Sequence, residues 1–265
     1  SERPIVAQIF GGKPEQFYEV AKLIVSLGFD GIDINMGCPD KGVEKSGGGA
    51  ALIKNPKLAQ EIILETKRGA GVLPVSVKTR LGYNKDELET WLPALLAGKP
   101  AAITIHARTR KEMSFVPARW ERVARAAEIA KGSGVLILGN GDVKDLADAR
   151  QKVKETGCDG VMLGRAIFGN PFLFSDLRKQ KRPAKRSEEG LHSVEDRLLV
   201  AVEHTKLFVK MFGDKKPFDL MKKHFKAYVN GFNGAKELRV KMMEAETAEE
   251  IEKIVNEFCS GIKKT

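Results

Sequence analysis

Cysteine is scarce in this chain of 265 residues: Cys38, Cys158 and Cys259 are odd in number, and no two stand in C-x-x-C spacing. That excludes a disulfide framework and argues against a zinc site, so no metal is expected and any special cysteine works alone, as a thiol. There is no uninterrupted apolar run near the roughly 20 residues that span a bilayer, and the first residues form no charged-then-apolar leader. The expectation is a soluble, cytoplasmic protein without a membrane segment. Fixed-period repeats and low-complexity tracts are also missing.

What the chain does have is size, glycine and positive charge. It is 42% hydrophobic and 30% charged, with 26 Gly, 11 Pro and a formal net charge of +10. That length and apolar content bury a full-sized core, which excludes disorder. Residues 1–177 carry 25 Lys and Arg against 21 Asp and Glu, while residues 178–265 carry 20 against 14 and so hold +6 of the +10. A basic appendage on a near-neutral body suggests a polyanionic partner; solvated helix faces are the plainer alternative.

Six β-rich runs, 5–10, 31–36, 75–81, 102–107, 135–139 and 160–164, are each followed by turn residues. Amphipathic stretches lie between them. Pro14 opens one with Phe17, Val20, Ala21, Ile24 and Leu27 on one face, and Asn55-Pro56 opens the next. Asn84 with Glu87 can cap a third, which Pro93 should bend or end. Trp120 and Val123 mark a fourth, and Asp142 can cap a fifth. Strand–helix alternation with nearly continuous apolar strands predicts a parallel α/β sheet covered on both faces. Polar residues at six strand ends fit a TIM (β/α)8-type barrel better than a doubly wound sheet. A barrel of that type needs eight strands, so it is expected to be N-terminally incomplete, lacking two strand–helix units. The segment 178–190 (RKQKRPAKRSEEG) reads as a basic linker. Beyond it, 194–212, 218–231, 235–246 and 247–261 are helical patterns, a small C-terminal bundle. The expected organisation is thus a barrel over 1–177, the linker over 178–190 and helices over 191–265.

Cys38 lies just past a strand end between Gly37 and Pro39, followed by Gly47-Gly48-Gly49. A lone cysteine is usually a small buried hydrophobe. At a rim position, a thiol with a pKa of ~8.5 keeps its proton at neutral pH and can donate it to a developing carbanion. The turns Gly139-Asn140-Gly141-Asp142 and Gly164-Arg165 follow the last two strands, where barrels hold phosphate on backbone N–H groups; alternatively, they need glycine only for their dihedrals. Lys78 and His106 end consecutive strands, where a cation would stabilise an electron-accepting ring; a snorkelling lysine and a core histidine are the alternatives. Gln8 either bonds the edge of such a ring or simply finishes its strand.

The motifs VAQIFG, DINMGCP, SVKTRLG, ITIHARTR, GNGD and GVMLGRAIFGNP, in that order, with MKKHFKAYVNGF and AKELR beyond them, closely resemble the tRNA-dihydrouridine synthases. The resemblance covers nearly the whole chain. It implies a barrel with a C-terminal helical domain, FMN as cofactor, NADPH as reductant and tRNA as substrate. By the same matching, Cys38 would supply the proton at C5 of a uridine and flavin the hydride at C6. Gln8, Lys78, His106, Asn140, Gly141, Asp142, Gly164 and Arg165 would hold FMN, and Asn35 would position the uracil. Arg108 and Arg110 would meet the RNA or its phosphate, and Lys222, Lys223, Lys226, Arg239 and Tyr228 are candidates for the tRNA surface, Tyr228 with packing as its alternative. Ala107 stands where the family usually has glycine. Two other functions fit parts of the sequence: a free-pyrimidine flavin reductase of the dihydroorotate dehydrogenase kind, and a silent RNA-binding fragment. Oligomeric state stays open, with a monomer as the simplest case.

Overall fold

The computed structural model describes residues 3–170, 172–174 and 193–262. The chain divides into two compact units, Ser1–Gly164 and Arg165–Thr265. The expected boundary at 177 and the expected linker 178–190 lie outside the described residues.

In the first unit six strands, β1 (Val6–Ile9), β2 (Gly31–Met36), β3 (Val75–Arg80), β4 (Ala102–His106), β5 (Leu136–Asn140) and β6 (Gly160–Met162), pair in parallel in the order β1-β2-β3-β4-β5-β6. Sequential order without reversal is the winding of a barrel; a doubly wound sheet reverses at its switch point. Helices α1 (Pro14–Ser26), the short α2 (Lys41–Lys45), α3 (Pro56–Ala70), α4 (Leu88–Ala97), α5 (Trp120–Ala130) and α6 (Leu146–Thr156) fill the connections, with a 3₁₀ segment at Gly49–Lys54. Their end signals are local. Asn55 accepts the Leu58 N–H at 3.2 Å ahead of Pro56, and Asp145 accepts the Asp148 N–H at 2.8 Å.

Three local expectations are corrected. The cap of α6 is Asp145, not Asp142, because Asp142 sits at φ 53° and its carboxylate is engaged elsewhere. Asn84 and Glu87 form no capping box: Glu87 accepts the Tyr83 N–H at 2.9 Å, and α4 starts at Leu88 and runs through Pro93. Proline there removes only one intrahelical bond, the one to Glu89. Val20 and Leu27 are exposed because the buried stripe of α1 is the narrower Phe17, Ala21, Ile24, and Leu27 lies past the last turn.

The strands alternate rather than run apolar throughout. Ile32, Ile34, Val75, Val77, Ile103, Ile105 and Ile137 face the helices and share one core with Ile62, Ile63, Leu92, Leu95 and Val123. Each such side chain, fully buried, contributes roughly 1.5–3 kcal/mol. Positions one residue out of phase, Gln8, Asp33, Asn35, Ser76 and Lys78, form a polar second face, so only one face of the sheet is covered by apolar helix.

The second unit is helical: α7 (Val194–Phe212), α8 (Asp219–Tyr228), α9 (Ala235–Glu244) and α10 (Ala248–Ile262), after a 3₁₀ turn at Arg165–Ile167. Ser193 and Asp196 make a reciprocal capping box at α7, and Thr247 accepts the Glu250 N–H at 3.2 Å at α10. Leu198, Met221, Phe225, Leu238, Met242, Ile251 and Val255 form its own core.

Candidate active site

The polar face is assembled by strand register. Gln8 stands opposite Asp33, Asp33 opposite Ser76, Asn35 opposite Lys78, Arg80 opposite His106 and His106 opposite Asn140. Residues scattered from Gln8 to Asn140 therefore become neighbours across adjacent strands, with Asn35, Arg80, His106 and Asn140 toward their C-terminal ends.

Cys38 is half-buried and held by backbone rather than by side-chain bonds. The Asn35 Oδ1 atom accepts the N–H groups of Gly37 at 3.1 Å and Cys38 at 2.9 Å, a tight side-chain turn that aims the chain away from β2. The Cys38 carbonyl accepts the Ala50 N–H at 2.9 Å, and Gly49 packs so closely that a Cβ there would lie 2.7 Å from that carbonyl. The glycine loop thus exists to let the chain close under the cysteine. Arg80, which is buried, donates through Nε to the Gly37 carbonyl at 2.9 Å and through Nη1 to Met113 and Thr109 carbonyls at 2.9 and 3.1 Å.

Lys78 is the cation that the site leaves available: no hydrogen bond or ion pair of its ammonium is found among the described residues. Burial, and then repulsion from Arg80, hold its pKa below the usual lysine range, against opposing attraction from Asp33 and Cys38. His106, expected as a cation, is corrected to a neutral imidazole. Burial, then Arg80, Lys78 and Arg108, push its pKa down to about 3. Arg108 Nη1 lies 3.0 Å from His106 Nε2. A guanidinium only donates, so Nε2 accepts and the ring proton sits on Nδ1.

Arg108 is 2% exposed, and its guanidinium is spent inside: Nε donates to the Val116 carbonyl, and Nη2 to the Asp142 carboxylate. The expectation that Arg108 meets RNA is corrected on that ground. Arg110 is likewise engaged, in a bidentate pair with Glu44 at 2.8 and 2.7 Å that also raises its pKa, and it stacks 5.2 Å from the Tyr83 ring. That pair fastens α2, the helix after Cys38, to the segment after β4.

Asn140 donates to the Met162 carbonyl at 2.8 Å, tying β5 to β6. Gly141 has φ 126°, and a Cβ there would come within 2.8 Å of Ala118, so glycine is obligatory. Asp142 accepts the Ala118 N–H at 3.0 Å as well as Arg108. Gly164 is exposed, with open space where a Cβ would sit. Arg165, also exposed, begins the second unit.

In the second unit Lys223 and Lys226 are exposed on α8, whereas Lys222 is 20% exposed and paired with Asp219 at 2.8 Å. Of the three candidate lysines, the structure presents Lys223 and Lys226 to solvent. Arg239 is half-buried and donates to the Val229 carbonyl at 3.3 Å, at the end of α8. Tyr228 packs: it is 7% exposed, its hydroxyl 3.1 Å from His204 Nδ1. Asp33, Ser76 and Glu44 were missed as parts of the site. Their signal was faint: an acid two residues ahead of Asn35 in a strand is unusual, but its partners lie 25 and 43 residues away.

No helix among the described residues is long and apolar enough to cross a membrane, and no group of three or more potential metal-ligating side chains occurs among them. Fold and site define a class: a singly wound parallel α/β protein with a thiol, a lone ammonium and glycine turns gathered at the strand C-termini. The chain belongs to the dihydrouridine synthase (Dus) family of enzymes, whose family model matches residues 1–263. The probable tRNA-dihydrouridine synthase of Staphylococcus aureus (strain MRSA252) is 41% identical over 261 residues, 97% of this chain and 76% of that protein. The probable tRNA-dihydrouridine synthase 2 of Bacillus subtilis (strain 168) is 39% identical over the same shares.

Proposed function

We propose that this chain reduces the C5–C6 double bond of a uridine in tRNA, with FMN as cofactor and NADPH as reductant, in the cytoplasm. The names of its relatives support the tRNA substrate. The observation that carries the chemistry is a half-buried thiol held by its backbone one strand from a lysine with no internal partner among the described residues.

The residues present fit an anionic, phosphate-bearing cofactor. Lys78 is a partly desolvated cation with no anion bound to it among the described residues, Gly141 keeps its turn free of a Cβ, and Gly164 leaves backbone open to close approach. Gln8, Lys78, His106, Asn140, Gly141, Asp142, Gly164 and Arg165 would hold FMN. When bound and reduced, FMN supplies a hydride for C6 of the uracil. Cys38 donates its thiol proton to C5, so that one hydride and one proton saturate the double bond and leave a thiolate that is reprotonated from solvent. Neutral His106, its proton fixed on Nδ1, offers a donor rather than a charge, and Lys78 alone stabilises negative charge on the ring. Asn35 keeps the thiol in place through its turn, in addition to any contact with the uracil.

The first unit would be the catalytic part and the helical unit the tRNA-binding part. Lys223 and Lys226 are the exposed cations that would meet phosphate, helping to offset the few kcal/mol that extruding a base from its stack costs. The test is direct. Purified protein should be yellow, and with NADPH and unmodified tRNA transcript should yield a uridine nucleoside heavier by two hydrogens in mass spectrometry. A colourless protein that still retains tRNA, or turnover of free pyrimidine in place of tRNA, overturns the proposal.

A further inference from the structure

One buried carboxylate has no part in that chemistry, yet its hydrogen bonds lead to the cysteine. Asp33, 7% exposed, sits in the middle of β2. Its Oδ2 accepts from Gln8 Nε2 at 2.6 Å and its Oδ1 from the Ser76 hydroxyl at 2.6 Å. Gln8 Oε1 in turn accepts from Asn35 Nδ2 at 3.1 Å, and Asn35 Oδ1 accepts the N–H groups of Gly37 and Cys38. The chain of bonds crosses three strands and ends on the backbone of the reacting residue.

Both ends fix its direction. A carboxylate only accepts, so Gln8 must turn its NH₂ toward Asp33 and its carbonyl toward Asn35. Backbone N–H groups only donate, so Asn35 must turn its carbonyl toward Gly37 and Cys38. An amide is nearly symmetric in shape, and polarity alone distinguishes its two orientations. We infer that Asp33 is a positioning residue that sets the pose of Cys38 by fixing the orientation of the Gln8 and Asn35 amides. The inference rests on the reading of Cys38 as the proton donor, but its test needs neither substrate nor cofactor, so the two can fail separately.

Asp33→Asn presents an NH₂ either to the Gln8 NH₂, which only donates, or to the Ser76 hydroxyl, which can accept it. If it faces Gln8, that amide reverses, its NH₂ then opposes Asn35, and the cap on Gly37 and Cys38 is lost. In the full chain, amide hydrogen exchange at Gly37 and Cys38 should quicken about tenfold, the ratio for one such bond lost, and Cys38 alkylation by iodoacetamide should follow an altered pH profile. Adding Gln8→Glu should restore both readouts to near wild type. The carboxylate introduced at position 8 accepts from the amide introduced at position 33 and from Asn35 alike, with total charge unchanged; simple damage to packing would not be repaired this way. Failure of the double variant to restore the quickened exchange overturns the inference. If Asp33→Asn does not fold, or turns its NH₂ to Ser76 and leaves exchange unchanged, Gln8→Met decides: it cuts the chain without touching the carboxylate and should quicken exchange about tenfold, and unchanged exchange there overturns the inference.

Discussion

The two units use positive charge in opposite ways. In the first, Arg80, Arg108 and Arg110 are turned inward and committed to carbonyls or carboxylates, and they hold loops beside Cys38. In the second, Lys223 and Lys226 stand on an exposed helix face. A planar guanidinium with several donors suits the building of a site, whereas a solvated ammonium on a flexible stem suits a mobile polyanion. The difference teaches that a basic composition has no single meaning. Arginines in the motif-rich barrel are scaffold, lysines in the motif-poor bundle are surface, and Lys78 is the exception that marks the site.

The comparison breaks most severely if the barrel rim is not catalytic. Cys38→Ala should lower dihydrouridine formation by about 10²–10⁴-fold, the usual worth of a positioned proton donor, while NADPH-driven flavin reduction persists. Equal yields from variant and wild type would remove the thiol from the reaction. Next in size is Arg108→Met, which strips the donors from Asp142 and His106. Urea unfolding should show a loss of about 2 kcal/mol, and a neutral result would mean that the inward arginine is not scaffold. Smaller is Lys223→Ala with Lys226→Ala. Affinity for tRNA should fall severalfold, with the slope of log affinity against log salt shallower by about 1–2; an unaltered slope would place the RNA elsewhere.

The remaining prediction is a pH dependence. An unfolded histidine titrates near 6.5, but His106 in the fold does so at about 3. The unfolded chain therefore binds the proton first, so the contribution of His106 to stability is complete above about pH 6.5 and fades as pH falls toward 3. Urea midpoints over that window should fall less steeply for His106→Gln than for wild type. Nitrogen chemical shifts should also report a neutral ring protonated on Nδ1; a protonated Nε2 would contradict the Arg108 contact.

Much of this molecule could be read along the chain. All six strands fell within one or two residues of their places, and the start of α7 at Val194 was found, because alternation, proline and capping residues act over a few positions. The thiol and the glycine turns were also legible, since each is a short motif. The polar face of the sheet was not, because it depends on strand pairing.

The sequence by itself determined the winding, the rim and the placing of Cys38, all consequences of local periodicity and strand-end chemistry. Tertiary structure alone decided which cations remain free. Arg108 finds Asp142 across 34 residues and Arg110 finds Glu44 across 66, while Lys78 finds no partner among the described residues. An ion pair is a property of two places in space, and only the folded sheet brings those places within the few ångströms over which such a bond acts.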